Sequence, residues 1–345
     1  VAFRRRNAPR PADPRPAVAR FWQWWAEHRD EVLAAVDANR PDDVRTLLDP
    51  AVAALDHGLT WEMAAGEQRR HALALSAGRD TERRAVTERW VLAAPDDPGI
   101  EFAAARMPRP LDEVPSITVD DYDIDLGELV AGTGVDPRRT VLDVVVHHPL
   151  FPLLGENARN DVAWRGLVAA LGDDDVLRWI GTVTVSADRS VDAIALSMLG
   201  AVAEQLRPTQ GPWVTLHGAG RGGRPVTAVA RRPLLRVERP LADTSVMVTL
   251  GYKANRNGEP EDDSVAADAE RLQEDVLAAL GGDGPHALRV GHLTGGGRIV
   301  AYFYVDGLEV NVESIEPVLR SWTHGTAAAR DRFDPAWDEV APLRT

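Results

Sequence analysis

From Ser245 onward the chain alternates between strand-like and helix-like apolar periods in a fixed order, and that order leaves few ways to fold. Ser245-Val-Met-Val-Thr-Leu250 reads as a strand. An acidic, turn-rich loop runs from Asn255 to Asp263, and Val265 to Leu280 reads as a helix ended by Gly281-Gly282. Leu288 to Leu293 and Ile299 to Val305 make a hairpin across Gly295-Gly296-Gly297. Val312 to Trp322 reads as a second helix and Thr326 to Phe333 as a closing strand. Strand, helix, strand, strand, helix, strand is the split βαβ order of ferredoxin-like domains. Its amphipathic helices cover one face of the sheet and leave the other available for binding.

The upstream sequence divides by the same signals. Residues 1–16 read as a disordered Arg- and Pro-rich arm, because Arg4, Arg5, Arg6 and Arg10 stand among prolines with few apolar neighbours. Phe21, Trp24, His28, Val32 and Ala35 share a helical face, which Trp22 and Trp25 widen. A second helix follows from Asp42 to Leu55. Leu59 to Met63 and His71 to Leu75 pair as strands, Thr81 to Ala94 is a helix and Glu101 to Met107 a strand. Residues 17–110 are therefore a helical pair with a ββαβ unit. Residues 111–210 form an α+β segment packed with it: a hairpin around Asp120-Asp121, a strand from Thr140 to His148, a helix from Ala158 to Leu171, a strand from Thr182 to Val185 and a helix from Val191 to Leu206. Residues 211–345 are the ferredoxin-like module, preceded by a hairpin of Trp213–Leu216 with Val226–Val229. The fold class expected is α+β, with two or three regions of antiparallel sheet packed by helices.

Composition removes whole classes of function. The chain has no cysteine, which excludes disulfides, thiolate metal sites and cysteine nucleophiles. It holds no apolar run of membrane-spanning length, and the basic start is not followed by an apolar signal segment, so a cytoplasmic protein without a membrane partner is expected. One lysine among many arginines, with abundant Ala and Gly, points to a GC-rich bacterial genome. The net charge of −14 disfavours nucleic acid as a partner, except through the Arg-rich arm.

The candidate sites are few. His147-His148 ends a strand; adjacent strand residues face opposite ways, so one at most looks into a given pocket. With Asp121 or Asp123 as a helper, either histidine is the first choice for an acid/base role. Asp121, Asp123 and Asp125 alternate as calcium ligands do, but Leu126 and Gly132 stand where an EF-hand needs Gly and Glu, so no metal is assigned. Gly218-Ala-Gly220-Arg-Gly222-Gly223 follows a strand like a dinucleotide loop. Pro225 and a β-branched run come next instead of a helix, so it reads as a hairpin turn and no cofactor is expected. His217, His292 and His324 lie in the C-terminal module. The Trp-rich helix at the N-terminus has core spacing.

The stretch Trp213 to Leu343 resembles the bacterial domain-of-unknown-function 695 family. The likeness lies in the strand Val246–Leu250, the turn Glu259-Pro-Glu261, the helix with Glu270 and Leu272, Gly295-Gly-Gly-Arg298 before Tyr302-Phe-Tyr304, and Asp334-Pro-Ala-Trp337. Phe21-Trp22, Gly58-Leu-Thr-Trp61-Glu62, Ser76-Ala-Gly78 and Ala93-Ala-Pro95 look like a companion segment of similar proteins. That family is itself similar to the B-type regulators of ribonuclease E activity, ferredoxin-like proteins that bind an enzyme and modulate it. The resemblance implies a regulator acting on another protein, and it carries no catalytic residue over. A non-enzymatic protein-binding or regulatory module is the expectation. The alternatives are a hydrolase or transferase assembled around His147 or His148, and an RNA-associated regulator using the arm.

Overall fold

A computed structural model describes residues 2–5, 12–114, 116–136, 141–206, 213–220 and 223–344. The chain forms two compact units, Pro14–Thr209 and Val1–Asp13 with Gln210–Thr345. Strand β1 (Ala2–Arg5) belongs to the latter.

In the unit Pro14–Thr209, α1 (Arg15–Asp37) and α2 (Pro41–Leu55) form a helical pair, each with proline in its first turn, where the missing N–H costs nothing. β2 (Thr60–Ala65) pairs antiparallel with β3 (His71–Ser76). Helix α3 (Thr81–Leu92) then crosses to β4 (Ile100–Ala103), which runs parallel to β3. The Asp80 carboxylate caps α3 by accepting from the Glu82 and Arg83 amides at 3.0 and 3.1 Å. The aromatic face of α1 is core: Phe21 and Trp25 are buried with Leu48, Leu73, Leu75 and Trp90. Trp22 stacks on Trp90 with centroids 4.9 Å apart.

The same unit continues with the hairpin β5 (Ile117–Val119) and β6 (Tyr122–Ile124), turned by Asp120 and Asp121 at φ 49° and 65°. Positive φ at both central residues matches strand twist, and Asp tolerates it. A four-stranded sheet follows in the order β10 (Ile194–Ala195), β7 (Val130–Asp136), β8 (Val141–His147), β9 (Ile180–Val185), with α4 (Glu156–Trp179) buried against it. Strand β7 escapes the sequence patterns because Gly132 and Gly134 read as turn residues. A Cβ on Gly132 would stand 2.8 Å from the Ser190 hydroxyl. Helix α4 outlasts its predicted end at Leu171 but breaks at Gly172 (φ 75°, ψ 165°). The helix expected over Val191–Leu206 is shorter. Val191 is fully exposed, β10 pairs with β7, and only α5 (Leu199–Glu204) is α-helical.

In the other unit, a seven-stranded sheet has the order β1, β16 (Ala327–Phe333), β13 (Thr244–Gly251), β15 (Arg298–Val305), β14 (Ala287–Gly295), β12 (Pro225–Arg231), β11 (Trp213–Ala219). From β13 the chain runs strand, α6 (Ser264–Ala279), β14, β15, then a 3-10 turn over Val312–Ile315 with α7 (Glu316–Leu319), and β16. The last helix is thus shorter than expected. Val248, Leu250, Phe303 and Ala301 bury one sheet face against Leu272, Val276 and Ile315. The opposite face is not left free. Ala228, Ala230, Leu288, Val290 and Tyr304 cluster there with Ala242, Trp337, Val340 and Leu343, so the loop before β13 and the C-terminal segment, including α8 (Ala341–Arg344), cover part of it. The disordered arm expected over residues 1–16 is also corrected. Ala2–Arg5 pair parallel with β16, and α1 already starts at Arg15, while residues 6–11 lie outside the described residues.

Candidate functional site

His147 and His148 are held by backbone groups. His148 has no exposed surface. Its Nε2 donates to the Asp125 carbonyl at 3.0 Å, and its Nδ1 accepts from the Leu150 amide at 3.1 Å. That pair of bonds fixes the neutral tautomer with hydrogen on Nε2. Burial pushes its pKa below the ordinary histidine value. The Glu128 carboxylate stands 3.6 Å away, outside hydrogen-bond range. His147, half-buried, donates from Nδ1 to the Ser186 carbonyl at 3.1 Å.

The acidic helpers lie elsewhere. Asp121 occupies the exposed β5–β6 turn, and Asp123 accepts from the Thr118 hydroxyl at 2.9 Å. It is the backbone of Asp125, not the carboxylate of Asp123, that reaches a histidine. The Asp125 carboxylate instead accepts from the Gly127 amide at 2.8 Å. The Gly-rich loop 218–223 connects antiparallel neighbours, with Ala219 opposite Pro225, so it is a hairpin turn; residues 221 and 222 lie outside the described residues.

Trp164, on α4, forms a wall of two cavities in the unit Pro14–Thr209. One, of about 390 Å³, includes Arg79, whose guanidinium lies 3.7 Å over the indole centroid. The other, of about 450 Å³, is lined by Arg106, Arg109, Arg165, Glu62 and Asp161. Its charges are matched internally: Glu62 meets Arg109 at 3.2 Å and Arg106 at 3.6 Å, and Asp161 meets Arg165 at 2.8 Å. This second lining combines two carboxylates and three guanidinium groups with apolar side chains, and among the described residues it has no hydroxyl or imidazole. Sequence patterns miss both cavities because their walls come from distant segments.

The other arrangement of interest lies where the seven-stranded sheet extends past its helices. Among the described residues, the strand residues packed in the core with α6 and α7 come from β13, β14, β15 and β16, and none comes from β11 or β12. Register places Thr215, Val229 and His292 across one line of that open face, and His217, Thr227 and Thr294 across the next. His217 and His292 therefore share a face but are separated by β12 and two residues of stagger. Burial pushes the His292 pKa down. Arg289, on β14, meets Glu270 of α6 at 2.6 Å and lies 4.6 Å over the ring of Trp213 on β11. Trp213 itself is 39% exposed.

The hairpin is also electrically distinct. Residues 213–239 carry six arginines and only Glu238 as an acid, in a chain of net charge −14. This local excess of positive charge is the sequence signal for the region, and counting charge over the whole chain hides it. Among the described residues no helix is long and apolar enough to cross a membrane. No protein-family model, curated protein or solved structure matches the chain.

Proposed function

We propose that this chain is a non-enzymatic protein-binding or regulatory module acting through the open part of its seven-stranded sheet. The observation that carries this reading is the overhang of β11 and β12 beyond α6 and α7, which presents Trp213, His217 and Thr215 along one exposed strand face. A large aromatic residue fixed by a neighbour is the kind of group that dominates protein interfaces. The strand and helix order from β13 supports a ferredoxin-like reading of this unit, and the resemblance to the domain-of-unknown-function 695 family, with its likeness to regulators that bind an enzyme, supports the same function. Fold alone says little about function, so the site carries the weight.

Affinity capture with the full chain tests it. A protein retained by the native chain and lost with Trp213→Ala supports the reading. Absence of any retained protein, together with turnover of a small molecule by the purified chain, contradicts it.

A further inference from the structure

We propose that an acidic, extended segment of a partner protein adds to the outer edge of β11 as an eighth strand, anchored on Trp213. This rests on the protein-binding reading above and specifies its surface and its partner.

Three observations converge on that edge. Among the described residues, β11 has a neighbour on one side only, and it ends the strand order. Native edge strands are usually protected by charge, proline or a bulge. Trp213-Val-Thr-Leu-His-Gly-Ala219 has neither charge nor proline and pairs with β12 in unbroken register over its whole length. Seven residues of regular edge offer alternating N–H and C=O groups, which another peptide backbone satisfies and a nucleic acid does not.

Charge selects the occupant. The hairpin and the loop after it hold six arginines against one acid; Arg231 is paired with Asp283 at 3.0 Å and Arg236 donates to the Pro335 and Pro240 carbonyls, while Arg224 stands exposed beside the turn. A second copy pairing about a two-fold axis would bring two such basic segments together, which repel. An acidic strand meets opposite charge. Single-stranded RNA would meet the arginines too, and could stack on Trp213 and the His217 imidazole, but it would leave the N–H and C=O groups of the β11 edge unpaired, which an added strand would not. The other edge of the sheet shows what such an addition looks like, since Ala2–Arg5 lie along β16 as a short added strand.

The added strand would place alternate side chains beside Trp213, Thr215 and His217. Trp213 is held by Arg289, so little freedom remains to be lost on binding.

Backbone hydrogen exchange of the full chain tests this, using an acetylated, amidated heptapeptide alternating glutamate and valine as the probe. The same peptide with lysine for glutamate and an oligouridine serve as comparisons. The glutamate peptide is expected to slow exchange within residues 213–219 about tenfold, with Trp213→Ala and Arg224→Glu each removing most of that protection. Equal protection by the lysine peptide, protection by oligouridine alone, protection that grows with protein concentration without peptide, or no protection at all overturns the proposal. A partner captured equally by the native and Trp213→Ala chains would remove this edge while leaving protein binding in place.

Discussion

Arg289 lies over the indole of Trp213, its guanidinium 4.6 Å from the ring centroid, while Glu270 of α6 meets the same guanidinium at 2.6 Å. A residue of β14 thus ties the outermost strand to helix α6 across β12. The contact joins an exposed edge to the core of the unit.

The pairing predicts a measurable coupling. In a double-mutant cycle of Arg289→Ala and Trp213→Ala, followed by urea unfolding, the two side chains should couple by about 0.5–1 kcal/mol. Strict additivity would mean that the stacking contributes nothing.

His148 is predicted to act in folding and not in proton transfer. His148→Ala leaves the Asp125 carbonyl and the Leu150 amide without their partner, and should cost about 2–4 kcal/mol in denaturant unfolding. Its depressed pKa sets a sign. Above the ordinary histidine pKa of 6.5, folded and unfolded forms are both neutral and stability is full. As pH falls below that value the unfolded chain takes up the proton first, so stability declines until the folded value is passed. An unfolding free energy that stays flat over that window would contradict the assignment.

Asp97 gives the carboxylate counterpart. It is 7% exposed and receives Arg29 through two bonds, Nε at 2.5 Å and Nη2 at 2.7 Å. The Arg29 guanidinium holds its pKa below the usual carboxylate range. Asp97→Asn should cost about 2 kcal/mol at neutral pH. The stabilisation is present above the unfolded carboxylate pKa and lost as pH falls through the folded value, so the difference between native chain and variant should shrink in acid. A difference independent of pH would show that the ion pair is not its source.

Gly172 is predicted to tolerate no side chain. At φ 75° and ψ 165° it occupies backbone space that only glycine enters readily, and an added Cβ would stand 2.7 Å from the Arg106 carbonyl oxygen. The break lets the Asp173 amide donate to that same oxygen at 3.1 Å and the Asp173 carboxylate accept from the Arg106 amide at 2.9 Å. Gly172→Ala should lower stability by about 2–3 kcal/mol, read by thermal unfolding. A variant as stable as the native chain would show that the break relaxes freely.

Local periodicity makes most of the elements legible in the amino-acid sequence. The alternation in Val246, Val248 and Leu250 and the helical stripe of Phe21, Trp25 and Val32 are set by which residues must be buried, and burial writes the pattern. Strand β7 is not legible, because its glycines look like turn residues while Gly132 serves close packing against Ser190. The helix expected from Val191 fails because tertiary pairing of Ile194–Ala195 with β7 overrides helical propensity. His147 and His148 are visible as candidates, but their hydrogen-bond partners come from residues 125 and 186, which no local pattern connects to them. The meeting of Trp213 with Arg289 is hidden for the same reason: it depends on the order of three strands.

Site-specific photocrosslinking in cells would decide whether β11 meets a protein. A photoreactive amino acid placed at position 217, on the open face of β11, is compared with the same group at position 165, beside the Trp164 cavity. A protein adduct is expected at 217 and none at 165. Adducts at 165 alone, or nucleic acid in place of protein at 217, would contradict protein binding through this edge.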